Sequence, residues 1–339
     1  MLKLFTASGD PHAFGKALGK FGAQAAHAHL IHCASWASIM QWRGSDAART
    51  LRELVRTRFP RIHEEIQGLA AGLELDADDV FLWNCRGDLW SLAPDGCTTV
   101  LAPSANGPRI SHNEDGDPGF RGHCGIVLAA PDDAPRFASF VYPASIPGHT
   151  FAVTEAGLAM TVNNLRMRKT SAGVPRMILT RAILGAAGLR DAVDILQDTP
   201  RAGGFHLSLA QAGNTELLSV EFSAAKVSVL SVQQAALHAN HAIHAGMADL
   251  PQVITDSSLH RQQRGDEILA ASADVSPLDI LADRKDAALP IFRADPRDPD
   301  DENTMATADM HVGEDHVRWQ VFDGPGQAPL YSLIDARQA

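Results

Sequence analysis

The stretch Asp95-Gly96-Cys97-Thr98-Thr99 decides how this chain is interpreted. A cysteine follows a glycine and precedes two β-branched residues, which favour extended backbone. Because Gly96 has no side chain, the thiol of Cys97 can approach the Gly96 carbonyl closely. Attack on that carbonyl would convert the peptide bond into a thioester, which water can cleave. We therefore predict self-cleavage between Gly96 and Cys97, with Gly96, Cys97, Thr98 and Thr99 as the processing sequence.

Cleavage at this bond would leave a new chain that begins with Cys97. Its first residue would carry a thiol and a free α-amine, hence a nucleophile and a base in one residue. An α-amine has a reference pKa of roughly 7.7–8.0, which suits general-base catalysis near neutral pH. The competing interpretation is a buried core cysteine at the start of a strand, since cysteine is among the most buried residue types.

The composition is that of a globular protein with an acidic charge balance. Of 339 residues, 45% are apolar and 20% charged, and 29 Lys and Arg against 40 Asp and Glu give a net charge of −11. Such a chain is a poor candidate for binding nucleic acid or an anionic membrane. It has neither a secretory signal at its N-terminus nor the roughly 20 consecutive apolar residues of a spanning helix. Its four cysteines form no CxxC pair. We predict a cytoplasmic protein with no nucleic-acid or membrane partner.

The pattern of apolar residues changes at Cys97. Residues 11–96 are mainly helical in pattern, because apolar residues recur at spacings of three and four. After Cys97, short apolar or alternating segments separated by Gly, Pro, Asn and Asp predict strands. The predicted strands cover residues 97–102, 124–129, 137–142, 151–154, 158–163, 205–211, 216–222, 226–232, 317–322 and 329–334. Predicted helices within the second part cover residues 175–187, 190–198 and 257–271.

Strands interleaved with paired helices, without regular βαβ alternation, predict an α+β fold. The stretch from Arg293 to Asn303 is rich in Pro and Asp, but little chain follows it. We interpret this stretch as a surface loop, and residues 1–339 as a single domain.

Two polar clusters after Cys97 contain further candidate site residues. In residues 111–117, predicted as a loop, Asp115 could hydrogen-bond the new amine or a neighbouring polar group and so orient Cys97. The alternative is a solvated turn, since Asn, Asp and Gly are common turn residues. In residues 238–244, Asn240 could donate its side-chain N–H to the oxyanion of an acyl-transfer intermediate, which is typically worth ~3–4 kcal/mol. The alternative there is a polar strand end.

The second cluster also allows a metal site made of His238, His241 and His244. Their spacing of three residues drifts around a helix, and no HExxH motif accompanies them. The chain also has no phosphate-binding loop and no GxSxG motif of a serine hydrolase. We therefore predict neither a metal nor a cofactor.

Two other residues could support the site. Asn163 ends an apolar strand and could face the nucleophile, although two consecutive Asn residues at a strand end usually form a turn. Arg261, in the helix of residues 257–271, could bind a carboxylate near the site. Such an arginine more often lies on a solvated helical face.

Taken together and in this order, these segments resemble the acyl-coenzyme A:6-aminopenicillanate acyltransferase family, a branch of the N-terminal-nucleophile hydrolases. The resemblance also includes the segments 15–19, 65–72 and 157–163, and its most specific part is residues 95–99. It implies a four-layer αββα sandwich of the N-terminal-nucleophile hydrolase type. It also implies self-cleavage into chains of residues 1–96 and 97–339.

Position by position, the resemblance implies that Cys97 is the nucleophile, Asp115 its acidic partner and Asn240 the oxyanion donor. It implies that Asn163 and Arg261 are supporting site residues. Many relatives have an aromatic residue where this chain has Glu114. We expect Glu114 to place a charge near the mouth of the site, where it would bind substrate and favour a cationic or neutral leaving amine.

We therefore predict a self-processing cysteine amidohydrolase. It would cleave a small amide, namely an N-acyl amine, an N-acyl amino acid or a short peptide, through a Cys97 thioester. One alternative is a coenzyme A-dependent acyltransferase, which a missing basic phosphate site disfavours. Another is a binding protein that kept the fold and lost the chemistry. The expected partners are the small-molecule amide, the cleaved N-terminal chain and, in a homo-oligomer, further copies of the chain.

Overall fold

A computed structural model describes residues 2–91, 96–272, 274–298 and 300–339. Asp95, the first residue of the processing motif, lies outside the described residues. The helices are α1 (Pro11–Ala28), α2 (Ala34–Met40), α3 (Asp46–Arg58), α4 (Pro60–Leu73), α5 (Ala77–Trp83), α6 (Arg86–Leu89), α7 (Arg176–Ile183), α8 (Leu189–Asp198), α9 (Asp256–Ala271) and α10 (Pro277–Leu281). The strands are β1 (Lys3–Gly9), β2 (Gly96–Ala102), β3 (Arg109–Gly116), β4 (Gly125–Pro131), β5 (Phe137–Val141), β6 (Phe151–Thr154), β7 (Leu158–Asn164), β8 (Phe205–Gln211), β9 (Leu217–Phe222), β10 (Val227–Ser231), β11 (Ala236–His238), β12 (Asn303–Val312), β13 (Val317–Phe322), β14 (Tyr331–Ile334) and β15 (Arg337–Gln338).

The strands form two sheets. One has eight strands in the order β1-β4-β5-β6-β7-β8-β9-β10, and the other has seven in the order β11-β2-β3-β12-β13-β14-β15. The sheets pack face to face: Thr99 of β2 contacts Thr161 of β7, and the ring of Phe151 on β6 packs edge-on against Trp319 of β13 at 6.2 Å. The core therefore lies between the sheets.

Helices cover the outer faces of both sheets. α1 and α4 pack closely, because a Cβ on Gly15 would lie 1.9 Å from the Glu65 carbonyl oxygen. α7 joins this layer through Arg181, whose guanidinium pairs with the buried Glu65 carboxylate at 2.8 Å. On the other side, Gln262 of α9 donates to the Leu237 carbonyl of β11 at 2.8 Å. The order helix, sheet, sheet, helix is consistent with the predicted sandwich and with the α+β fold class.

Several predicted elements are confirmed at their full length, including β6, β8 and β13. The predicted loop at residues 111–117 is wrong, because residues 109–116 form the buried strand β3. The polar side chains of β3 are paired across the sheet with those of β12. Ser111 donates to Asp309 at 2.6 Å, and Asn113 accepts from Thr307 at 2.6 Å. Mutual hydrogen bonds therefore let a polar strand lie in the core.

The N-terminal segment is part of the fold and not an appendage. β1, which the sequence pattern did not predict, pairs in parallel with β4 along seven residues, from Lys3 opposite Gly125 to Gly9 opposite Pro131. In the described ranges, no helix is both long and apolar enough to cross a bilayer.

Candidate active site

Cys97 lies at the second position of β2 and is only 2% exposed. In the register of β2 and β3, Cys97 is opposite Glu114, and Gly96 is opposite Asp115. Because successive side chains of a strand point to opposite faces, Glu114 shares the face of Cys97 and Asp115 lies on the other face. Thr99, two residues after Cys97, contacts β7, so the Cys97 face is the one between the sheets.

The backbone of Cys97 is held by two of the predicted residues. Its N–H donates to Oδ1 of Asn240 at 3.0 Å, and its carbonyl accepts from Nη1 of Arg261 at 2.5 Å. Arg261 Nη2 also donates to Oδ1 of Asn240 at 2.6 Å. The structure thus brings Cys97, Asn240 and Arg261 together, although they are far apart in sequence.

The orientation of the Asn240 side chain is set by its neighbours. Both Cys97 and Arg261 present N–H donors, so the amide oxygen of Asn240 faces them. Its Nδ2 donates to the Asn164 carbonyl at 3.3 Å. In this arrangement the oxygen, and not the predicted N–H, is nearest to Cys97. The role of Asn240 as oxyanion donor stays a prediction.

Helix α9 positions these groups. Thr255 caps its first turn by accepting from the Ser258 N–H. Ser258 in turn accepts from the Asn240 N–H at 2.9 Å, which fixes the loop after β11. Arg261 is 1% exposed, so the alternative of a solvated helical face is wrong for this residue. Burial lowers the pKa of Arg261, while the Asp115 carboxylate acts in the opposite direction.

Asp115 lies on the α9 side of the sheet. Its Oδ1 accepts from the Thr304 hydroxyl at 2.7 Å, and its buried Oδ2 has no hydrogen-bond partner in the described part of the chain. Burial raises the pKa of Asp115 to about 6, against the opposing charges of Arg293 and Arg261. The predicted hydrogen bond of Asp115 to the new amine or to a neighbouring polar group stays a prediction, and in the uncleaved chain Asp115 is opposite Gly96.

Glu114 does not lie at the mouth of the site, as the sequence suggested, but is 1% exposed between the sheets. Its Oε2 is 3.9 Å from Sγ of Cys97 and 3.0 Å from Nε2 of His112. Nδ1 of His112 is 2.7 Å from the Thr99 hydroxyl. Sequence reasoning missed His112. The signal was its position two residues before Glu114, which puts both side chains on one face once β3 is recognised as a strand.

Asn163 faces Thr99 and not Cys97 itself. Its Oδ1 accepts from the Thr99 hydroxyl at 2.7 Å and lies 3.1 Å from Nδ1 of His206. Its Nδ2 donates to the His238 carbonyl at 3.1 Å. Asn163 therefore links β2, β8 and β11 beside the nucleophile.

A second histidine–glutamate pair lies next to this link. Nε2 of His238 is 2.9 Å from Oε1 of Glu221, and the His238 ring stacks on His206 with centroids 3.5 Å apart. Ser219 connects His206 to His244, at 2.9 Å from each ring.

The three histidines of the metal alternative do not all contact one group. Nε2 of His238 lies 2.9 Å from Oε1 of Glu221, and Nε2 of His244 lies 4.0 Å from the same oxygen and 2.9 Å from the Ser219 hydroxyl, whereas His241 contacts Ser258. Among the described residues, the group of three His, Cys, Asp or Glu side chains whose candidate ligand atoms all lie within 4.8 Å of one another is instead Cys97, His112 and Glu114. The His112–Glu114 distance of 3.0 Å is shorter than the roughly 3.3 Å expected between two ligands of tetrahedral zinc. The geometry here is that of a direct hydrogen bond.

Gly96 is required by a close approach. A Cβ at this position would lie 2.2 Å from Oε2 of Glu302. That carboxylate cannot move away easily, because Arg293 and Arg166 both pair with it. Arg293 is 1% exposed, so the predicted surface loop at residues 293–303 begins and ends inside the protein. Sequence reasoning missed this charged cluster around the predicted cleavage point.

The amino-acid sequence matches a family of known proteins. A sequence model of the family described as "Acyl-coenzyme A:6-aminopenicillanic acid acyl-transferase" matches residues 104–325, which is more than half of the chain. The chain belongs to this family. The match begins seven residues after Cys97, so it covers the strands and helices around the nucleophile and not the nucleophile itself.

Two curated relatives of this acyltransferase family differ in their named activities. The "Beta-alanyl-dopamine/carcinine hydrolase" of Drosophila melanogaster is 27% identical over 164 residues, which cover 42% of each chain. The "Acyl-coenzyme A:6-aminopenicillanic-acid-acyltransferase 40 kDa form" of Emericella nidulans is 37% identical over 70 residues, which cover 20% of each chain. The chain therefore spans less than half the length of either relative in these matches.

Proposed function

We propose that this protein is a self-processing cysteine amidohydrolase of the N-terminal-nucleophile type, acting on a small amide through a Cys97 thioester. One observation carries the proposal: Cys97 follows Gly96 at the start of a buried strand, with its N–H on Asn240 and its carbonyl on Arg261. Family membership supports amide or acyl-group chemistry, and a relative named as a hydrolase supports hydrolysis.

The proposed chemistry uses Cys97 twice. Self-cleavage first converts the Cys97 nitrogen from an amide into a free amine. In each turnover the amine then takes the thiol proton as Sγ attacks the substrate carbonyl, and returns a proton to the departing amine. Oδ1 of Asn240, 3.0 Å from this nitrogen, can hold the amine in place by accepting its N–H. Water finally hydrolyses the thioester.

We also propose that the two products of cleavage stay together as one unit. β1 of the N-terminal piece is hydrogen-bonded to β4 of the other piece along its whole length. Glu65 of the N-terminal piece forms a buried ion pair with Arg181 of the other. Asp88 accepts from the Arg176 N–H at 3.1 Å across the same boundary. These contacts between the pieces do not depend on the Gly96–Cys97 bond.

Acyl transfer is the second candidate, favoured by the 37% identity to a relative named as an acyltransferase. The two reactions share the thioester and differ only in whether water or an amine receives the acyl group. The expected preference of Glu114 for a cationic amine requires Glu114 to be ionised.

The test combines two measurements on purified full-length protein. Intact-mass spectrometry should show chains of residues 1–96 and 97–339, and a screen of N-acyl amino acids, β-alanyl amines, short peptides and a penicillin should yield a product. Adding an acceptor amine or a coenzyme A thioester separates transfer from hydrolysis. A wild-type chain that stays uncut on long incubation, and binds ligands without product, would favour the non-catalytic alternative.

A further inference from the structure

The hydrogen bonds around His112 determine which ring nitrogen carries hydrogen. Because Asn163 donates its Nδ2 to the His238 carbonyl, its Oδ1 faces Thr99. The Thr99 hydroxyl donates its single hydrogen to that oxygen at 2.7 Å. Thr99 must therefore accept a hydrogen bond from Nδ1 of His112, which is also 2.7 Å away. Nδ1 of His112 thus carries hydrogen.

The other ring nitrogen faces a carboxyl group. Nε2 of His112 lies 3.0 Å from Oε2 of Glu114. A neutral ring with hydrogen on Nδ1 has only a lone pair at Nε2, and an ionised carboxylate offers only lone pairs. Two acceptors at this distance would repel, so one proton lies between His112 and Glu114. Burial lowers the pKa of His112 to about 3, which favours the proton on Glu114 at rest.

The same Glu114 oxygen contacts the Cys97 thiol, at 3.9 Å. Before cleavage, the Cys97 nitrogen is a peptide amide whose hydrogen is donated to Asn240. An amide nitrogen is not a base, so it cannot accept the thiol proton. Self-cleavage therefore needs a base other than the α-amine that serves the cleaved enzyme.

We propose that Glu114 is the general base and acid of self-cleavage, and that His112 positions it and shares its proton. The inference rests on the proposed function, because it assigns residues to the cleavage that this function requires. The Glu114–His112 pair would then transfer protons during self-cleavage of the precursor, and the α-amine would do so during turnover by the cleaved enzyme.

The step conserves protons and electrons. Sγ of Cys97 bonds to the Gly96 carbonyl carbon while its proton moves to Glu114 and the Glu114 proton moves to Nε2 of His112. The carbonyl π electrons pass to the Gly96 oxygen. Collapse of this intermediate breaks the bond to the Cys97 nitrogen, which receives one proton back from the pair. Water then hydrolyses the thioester, releasing the Gly96 carboxyl group and the thiol.

Among the described residues, several titratable groups face the pair from neighbouring elements. They are Cys97 on β2, Cys124 just before β4 and His206 on β8. Burial raises the pKa of Cys124, and burial together with the nearby histidines lowers the pKa of His206, so both stay neutral. A protonated Glu114 is neutral as well. A neutral Glu114 does not attract a cationic amine by charge. Glu114→Gln should therefore leave the amine preference unchanged.

The test compares self-cleavage in full-length Glu114→Gln and His112→Gln, with Glu65→Gln as the matched control. Glu65 is also a buried glutamate, but it pairs with Arg181 in the helical layer. Intact-mass spectrometry follows the cleaved fraction with time. We expect cleavage to slow about 10²-fold or more in both site variants. Glu65→Gln should cleave at the wild-type rate.

The outcomes separate this inference from the proposed function. Wild-type cleavage rates in both site variants would overturn the inference alone, whereas a wild-type chain that never cleaves would overturn both. If the variants fail to fold, ¹⁵N NMR of the histidines in Cys97→Ala provides a second measurement. We expect His112 to be neutral, with hydrogen on Nδ1. A neutral His112 ring with hydrogen on Nε2 alone would contradict a proton shared between His112 and Glu114.

Discussion

In the part of the chain that the structure describes, two short histidine–glutamate pairs have almost the same length and different surroundings. His112 and Glu114 lie two residues apart on β3, with 3.0 Å between the nearest atoms. His238 and Glu221 join β11 of one sheet to β9 of the other, with 2.9 Å between the nearest atoms. Both pairs are buried, so the distance alone does not say where the proton lies.

The neighbours of each carboxyl group make the difference. Burial would raise the pKa of Glu221, but hydrogen bonds from His238 and from the Ile243 N–H lower it. Nε2 of His238 points at Glu221, which also accepts from the Ile243 N–H at 2.7 Å, and Nδ1 of His238 points at the Ala239 carbonyl. Glu114 instead faces the Cys97 thiol. Donors from His238 and the main chain hold Glu221 as an anion, whereas Glu114 lies next to a thiol with which it can exchange a proton.

Cys97→Ala should have the largest effect, because it removes the sulfur that faces Glu114 and leaves the His238 pair intact. We expect no self-cleavage and no turnover, with a loss of stability of only about 1 kcal/mol. Intact-mass spectrometry, a turnover assay and thermal unfolding measure these three quantities. Cys124→Ala, which removes another buried thiol, is the control and should still cleave. Full turnover by Cys97→Ala would contradict the assignment of the nucleophile.

Asn240→Ala tests the connection between the two pairs, because Asn240 follows His238 by two residues and contacts the Cys97 nitrogen. We expect kcat/KM to fall roughly 10²–10³-fold while the fold is kept, as for other residues that bind the reacting groups of acyl-transfer enzymes. Steady-state kinetics on cleaved protein measure this change. An unchanged kcat/KM would show that Asn240 is only structural.

Glu221→Gln and Glu114→Gln should differ in stability if only the first pair is ionic. Replacing Glu221 removes a buried anion that accepts from His238 and from the Ile243 N–H, which should cost about 3–5 kcal/mol. Glutamine replaces a protonated Glu114 with little change of charge or shape, so we expect a cost of about 1 kcal/mol. Denaturant unfolding of both variants measures the free energies. Equal losses in the free energy of unfolding would show that the two pairs do not differ in ionisation.

The smallest expected effect is on the pH profile. The raised pKa of Asp115, about 6, means that its carboxylate is lost as the pH falls through this value. If turnover needs this carboxylate, kcat/KM should drop below pH 6, by up to tenfold per pH unit. Asp115→Asn should remove this acid limb. His112→Gln should keep it, since the pKa of His112 is about 3. If the acid limb instead disappears in His112→Gln, the limb reports the titration of the His112–Glu114 pair.

The sequence by itself determined the family, the broad fold class and the position of the candidate nucleophile. Residues 97–99 combine a thiol with β-branched neighbours, and this local chemistry can be recognised without a structure. The helical pattern of residues 11–28 and the strand pattern of residues 205–211 were predictable for the same reason. In the helix, the spacing of apolar residues shows which face is buried, whereas in the strand the alternation shows only the extended backbone, because both of its faces are buried.

Only the tertiary structure decided how the polar groups are used. The strand at residues 109–116 was missed, because its buried polar residues are paired with partners almost 200 residues away, such as Thr307 for Asn113. The side of the sheet that each residue occupies followed from the register, which put Glu114 and not Asp115 beside Cys97. Arg293 and Glu302 resembled a charged surface loop and lie buried beside Gly96. Long-range pairing sets the environment of a polar group, and local sequence carries little information about such pairing.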